Sequence, residues 1–253
     1  MSKHFFADTA YLTGRSLRHI TRSVDTIITT TIMPIAFMLL FVYVFGGAIK
    51  SGSHSYVNYL LPGILLITIA SGISYTAFRL FLYLQSGIFE RFQSMPIARS
   101  SVLWAQVLTS LVANLISLVV VVLVALLIGF RSGAGVLAWL AVAGILIVFT
   151  LALTWIALIP GLTAKSVDGA SAFSYPLIFL PLISSAFVPT STMPGPVRAF
   201  AEYQPVTSIV NTIRDLYTQQ SVGSDIWIAL AWCVGILVVA YSFAMVIYRR
   251  KIS

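Results

Sequence analysis

Polar and apolar positions along this chain fall into long blocks. Charged residues are absent from 26–49, 51–78, 100–130, 132–164, 169–197 and 226–248. A helix needs about 20 apolar residues to cross the hydrocarbon core of a bilayer, and every block is long enough. The pattern predicts an all-α integral membrane fold with six transmembrane helices. The block 26–49 exceeds the roughly 7–15 residues of a secretory h-region, so it reads as an uncleaved first span, with Pro34 expected to kink it. Arg131, Ser132, Gly133 and Gly135 leave only a short turn between the third and fourth spans.

Three segments have patterns of another kind. In 8–25, Arg15, Arg18, Arg22 and Asp25 share one helical face, and Leu12, Leu17, Ile20 and Val24 share the other. That is an amphipathic helix suited to the membrane interface, serving either as an anchor on anionic lipid or as a contact for a cytoplasmic partner. The loop 87–99 reads GIFERFQSMPIAR. If 88–95 is helical, Ile88, Phe92 and Met95 form an apolar knob and Pro96 ends the helix; the knob then packs on adjoining spans or enters a groove on a partner.

The third segment follows a fifth block interrupted by Pro176 and Pro181. Pro189, Pro194, Pro196 and Pro205 come next, and then Val206, Ile209, Val210, Ile213, Leu216 and Tyr217 recur at helical spacing. Two short helices are predicted, over 194–202 and 205–218. Neither can span, and their apolar stripe favours a re-entrant or interfacial hairpin over a solvated loop.

Composition sharpens the class. Only 22 of 253 residues are charged, 15 Lys or Arg and 7 Asp or Glu, so the charged share is 9% where soluble domains carry about 25%. The mean hydropathy is +0.98. Disorder and a soluble fold are excluded together. The net charge of +8 then reflects basic residues kept on one side of a membrane, and nucleic acid is not an expected partner. With the N-terminus inside, the inner segments hold Lys3, Arg15, Arg18, Arg22, Arg79, Arg91, Arg99, Lys165, Arg249, Arg250 and Lys251. The outer ones hold Lys50, Arg131, Arg198 and Arg214. This count of 11 against 4 places both termini in the cytoplasm. Tyr248 suits the inner interface and Trp227 the outer.

The chemistry of an enzyme is missing from the sequence. None of Lys3, Lys50, Lys165 and Lys251 sits in a phosphate-cradling Walker A pattern. His4, His19 and His54 are scattered, no G-x-S-x-G elbow occurs, and Cys233 is the single cysteine, expected to pack as a small hydrophobe. Arg79 is the one charge within reach of a span interior; it either snorkels to the inner interface or lines a cytoplasmic vestibule. Bare spans disfavour an ion-coupled pump, so energy is expected from another subunit.

The segments Gly87–Arg99 and Phe187–Thr207, FVPTSTMPGPVRAFAEYQPVT, resemble those of the membrane-spanning permeases of type 2 ABC exporters, with the daunorubicin-resistance type nearest. The resemblance runs over essentially the whole chain and makes 1–253 a single transmembrane domain. It implies that 87–99 holds a coupling helix docking into a separate ATPase, with Phe89, Glu90, Arg91, Phe92, Met95 and Pro96 as contacts. It makes 8–25, with Arg15, Arg18 and Arg22, a connecting helix that meets the same partner.

The segment 187–218 resembles the family's extracellular gate, with Pro189, Met193, Pro194, Gly195, Gln204, Pro205 and Thr207 as gate residues. The implied assembly is two permeases, identical or homologous, with two ATPases in a bacterial or archaeal plasma membrane. The chain itself would hold no cofactor; ATP and Mg would bind the ATPase. Tyr83 and Ala105 stand where many relatives carry an acidic residue and a glycine.

The function expected is a permease subunit moving apolar or amphipathic compounds out of the cell. Tyr75, Phe78, Arg79, Phe173, Tyr175 and Phe179 are candidates for the cargo path. The same build would also serve a glycan, a lipid-linked polymer or a cell-wall lipid. A non-transporting sensor or scaffold is the alternative of another class.

Overall fold

The computed structural model describes residues 9, 11, 13, 14, 24–46, 56–85, 101–220 and 223–252. Everything described is helix or connection. Helix α1 covers Val24–Leu40 and continues as a π-helical turn, Phe41–Phe45. It is followed by α2, Tyr56–Gln85, α3, Ser101–Ile128, and α4, Val136–Thr163. Two short helices come next, α5 over Val167–Ala172 and α6 over Ser174–Phe179, ending in a 3-10 turn at Leu180–Ile183. Helices α7, Gly195–Tyr203, and α8, Pro205–Thr218, precede the last, α9, Asp225–Ile252.

Helices α2, α3, α4 and α9 are long and apolar enough to cross a membrane. Two shorter apolar runs, Thr30–Val44 and Val167–Ile183, correspond to the first and fifth predicted spans. The fifth differs from the expectation of a span over 169–197, because it is a chain of short pieces. Its first break, at Phe173, comes before either proline; Pro176 then lies inside α6 and Pro181 inside the 3-10 turn. The paired helices expected over 194–202 and 205–218 are present as α7 and α8.

Helix α2 is the axis. Its apolar window is 78% buried, against 17% for α9, and it touches α1, α3, α4, α5, α6 and α8. Leu60, Leu61, Ile64, Leu65, Ile67 and Ile73 are all but inaccessible. Gly63 lets the segment after α6 come against α2: a Cβ there would lie 2.5 Å from Ala186 Cβ and 3.1 Å from the Phe187 ring. Small residues at such crossings let helix backbones approach without lipid or water between them. Helix α9 instead leaves Trp227, Ile228, Trp232, Val238 and Phe243 exposed, as a lipid-facing helix would.

The turn predicted between the third and fourth spans is built by a Schellman cap. Gly129 takes φ +114°, its N–H donates to Leu126, and the Phe130 N–H donates back to Ala125. Only glycine enters that backbone region without strain. Phe130 is thereby driven inward to full burial, edge-on to Trp139 and Tyr217. At the other end of the bundle Trp104, Trp155 and Tyr241 pack ring against ring across α3, α4 and α9. Tyr248 is 3% exposed and packs in this second cluster, so its ring is core and not part of an interfacial belt. Cys233 is buried as expected.

Hydroxyls inside the apolar helices are silenced locally. Thr68, Thr150 and Thr154 each donate to the carbonyl four residues earlier, at 2.7 Å. This back-bonding satisfies a buried donor without a partner helix.

Candidate functional site

Two polar assemblies interrupt the apolar bundle. The first lies at the end carrying the 131–135 turn and is organised by Arg214 on α8. Its guanidinium sits 3.9 Å from the centroid of the Tyr59 ring and donates to the Tyr59 carbonyl at 3.0 Å and the Ser185 carbonyl at 2.8 Å. Asn211, one turn earlier, accepts from the Ser185 hydroxyl at 2.7 Å and donates to Asp225 at the start of α9.

Farther along α8 the Tyr217 hydroxyl donates to the Asn58 carbonyl, and the Tyr217 carbonyl accepts from Ser132 at 3.0 Å. Asn58 exchanges hydrogen bonds with the Arg131 backbone, and Gln219, in a left-handed conformation at φ 58°, reaches the Gly133 carbonyl. Helix α8 is thus tied to the start of α2, the α3–α4 turn, the end of the fifth run and the start of α9. Burial pushes the Asp215 carboxyl above its ordinary range, the Arg214 charge opposing and Asp225 reinforcing that shift. Burial likewise raises the Tyr217 phenol.

The predicted gate residues divide here. Gln204 is buried and donates to the Ile183 carbonyl at 2.6 Å, closing the α7–α8 corner onto the fifth run. Thr207 is buried and donates to the Ala201 carbonyl at 2.5 Å, fastening α8 to α7. Pro194 and Gly195 are exposed, while Pro189, Met193 and Pro205 are half-buried. Pro189 N-terminally flanks a 3-10 turn, and Pro205 opens α8, a position where a missing N–H costs nothing. Arg198 and Glu202 pair at 2.7 Å on the open face of α7.

The second assembly is a cleft between α1, α2 and α3, with a volume of about 20 Å³. Thr30, Gly72, Tyr75, Thr76, Arg79, Gln106, Ser110, Asn114 and Ser117 line it. Thr76 and Ser110 share a hydrogen bond at 2.5 Å, and Thr30 and Ser117 one at 3.2 Å. Asn114 is 2% exposed. Its amide nitrogen donates to the Ser110 carbonyl at 3.0 Å, but its Oδ1 is buried with no partner among the described residues. An unpaired buried acceptor costs about 1–3 kcal/mol. Gly72 makes the arrangement possible, since a Cβ there would fall 2.1 Å from Asn114 Oδ1.

The candidate path residues are only partly gathered. Tyr75 and Arg79 line the cleft, with the guanidinium carbon 5.9 Å from the Tyr75 ring centroid; Phe78 is 5.9 Å from Tyr75, ring to ring. Phe173 packs against the main core, while Tyr175 and Phe179 are exposed on α6, and none of the three enters the cleft. Sequence reading missed the cleft's polar lining, because Thr76, Gln106, Ser110 and Asn114 carry no charge and leave the blocks looking uniformly apolar. Their spacing was a usable signal: 106, 110, 114 and 117 recur on one face of α3. Arg214 was visible only as a charge outside the spans.

The coupling residues Phe89, Glu90, Arg91, Phe92, Met95 and Pro96, and the basic residues Arg15, Arg18 and Arg22, lie outside the described residues. Of the N-terminal segment, residues 9, 11, 13 and 14 are helical, and Thr13 donates to the Thr9 carbonyl at 2.7 Å.

Residues 8–218 match the family described as ABC-2 type transporter. Among similar proteins, the daunorubicin resistance ABC transporter permease protein DrrB1 of Streptomyces coeruleorubidus is 29% identical over 229 residues, covering 89% of this chain and 80% of that protein. The probable doxorubicin resistance ABC transporter permease protein DrrC of Mycobacterium tuberculosis is 28% identical over 251 residues, covering 97% and 90%.

Proposed function

The chain belongs to the ABC-2 type transporter family, and from that premise we propose that it is the membrane permease subunit of an ATP-driven exporter. Its cargo is apolar or amphipathic and drug-like. The observation that carries this reading is the family match over 8–218, joined to two drug-resistance permeases aligned over nearly the whole chain. ATP and Mg bind a separate ATPase, two copies of which pair with two permeases. The loop 87–99 and the N-terminal helix 8–25 receive the ATPase motion and pass it to the first, second and fifth spans. The cavity between permeases then turns from inward- to outward-facing.

Six crossings with both termini in the cytoplasm follow from the charge count. One contact supports this: Lys251 Nζ, at the end of α9, donates to the Leu162 carbonyl, at the end of α4, at 2.5 Å. The two helices therefore finish level, as the fourth and sixth of six crossings must. On this reading α7 and α8 form the outer gate, latched by Gln204, Thr207 and Arg214.

The test is capture and coupling. Affinity purification from the native membrane is expected to retain an ATPase subunit. In proteoliposomes the pair should move doxorubicin only with ATP. Glu90→Lys combined with Phe92→Ser should lower ATPase retention and abolish transport. Purification with no nucleotide-binding subunit would favour a sensor or scaffold. Transport lost on dissipating the ion gradient while ATP is maintained would mark an ion-coupled carrier.

A further inference from the structure

The cleft between α1, α2 and α3 has three features that ordinary helix packing leaves unexplained. It is lined by hydroxyls and amides in a part of the chain where every neighbouring layer is aliphatic. Asn114 Oδ1, on a side chain 2% exposed, has no donor among the described residues. Its volume of about 20 Å³ admits one water-sized group. A hydroxyl meets each condition, because it is that size and both donates and accepts.

We propose that this cleft is a hydrogen-bonding subsite for a neutral hydroxyl on an otherwise aromatic or apolar molecule, with Asn114 Oδ1 accepting its proton. Arg79, at the same cleft, selects the charge state. A guanidinium repels an ammonium group and can donate to the oxygen of a hydroxyl. Tyr75, beside Arg79, offers a ring face to the apolar remainder. Gly72 keeps the acceptor in place, since no side chain fits between the α2 backbone and Asn114. The proposal rests on the permease reading only in calling the bound molecule cargo.

The test uses the full chain in lipid nanodiscs, without any ATPase. The probes are 1-hydroxypyrene and 1-methoxypyrene, which share a ring system and differ in the donor. Binding is read by energy transfer from the protein's tryptophans, with empty nanodiscs setting the lipid background. The parent is expected to prefer the hydroxyl probe by roughly fivefold, the worth of one net hydrogen bond. Asn114→Leu should bring the ratio to about one by weakening the hydroxyl probe alone, and Asn114→Asp, which keeps an acceptor oxygen, should retain the preference.

Equal binding of the two probes by the parent would overturn the proposal, and so would a preference that survives Asn114→Leu. If Asn114→Leu fails to fold, Gly72→Ala must remove the preference by displacing the acceptor, and its survival there overturns the proposal equally. Capture of an ATPase with no hydroxyl preference sinks the subsite and leaves the permease reading standing. The reverse pair of results sinks the permease reading and leaves the subsite.

Discussion

Arg214 closes over the Tyr59 ring at 3.9 Å while donating to the Tyr59 and Ser185 carbonyls. One side chain thus joins α8, α2 and the end of the fifth run. A guanidinium suits this place because its planar fork can stack and donate at once. Arg214→Lys keeps the charge and loses the fork, so most of the stabilisation should go with it, on the order of 2 kcal/mol. The expected readout is faster amide exchange over 205–218 in nanodiscs, with α4 unaffected. Equal protection in the variant would show that α8 is held by its apolar face alone.

That apolar face makes a separate prediction. Val206, Ile209, Val210 and Ile213 are buried together with Tyr217, and the Tyr217 hydroxyl ends on the Asn58 carbonyl. Tyr217→Phe retains the ring and removes the bond, and should cost about 1 kcal/mol. Ile209→Ala opens a cavity and should cost about 2–4 kcal/mol. Chemical denaturation in detergent should therefore rank the two variants in that order.

The contact at Gly63 has no room to spare. With Ala186 Cβ 2.5 Å from where a side chain would begin, Gly63→Ala must push the fifth run away from α2. A loss of about 1–3 kcal/mol is expected. A thermal midpoint within a degree of the parent would mean that the segment 184–187 gives way freely.

Asp215 makes stability depend on pH. Its carboxyl is raised chiefly by burial, so the folded chain takes up that proton more readily than the unfolded one. The resulting stabilisation is complete below the unfolded pKa and is lost as pH rises through the higher folded value. Asp215→Asn mimics the protonated form. It should melt above the parent at pH 8, and the gap should close by pH 4. A gap independent of pH would trace the effect to packing at that position and not to titration.

Much of this architecture was legible before any coordinates. Charge-free blocks marked the runs that became α2, α3, α4 and α9, because hydrocarbon excludes charge over a length that helix geometry dictates. The turn at 131–135 and the paired helices α7 and α8 were readable for local reasons: glycine and proline act on the backbone within a few residues, and an amphipathic stripe needs only its own spacing.

Tertiary structure alone decided the rest. Nothing local says that the fifth run breaks at Phe173, since its prolines lie later. Nothing local says that Arg214, one of four cations assigned outside, stacks on Tyr59 across 155 residues of chain, or that Tyr248 turns into the core. The same holds for the cleft, where Thr76 meets Ser110 and Asn114 faces Gly72 only because α2 and α3 cross at that height. Desolvation of charge is a property of each residue and is written along the chain. Hydrogen bonds between uncharged side chains depend on which helices touch and in what register, and packing alone sets that.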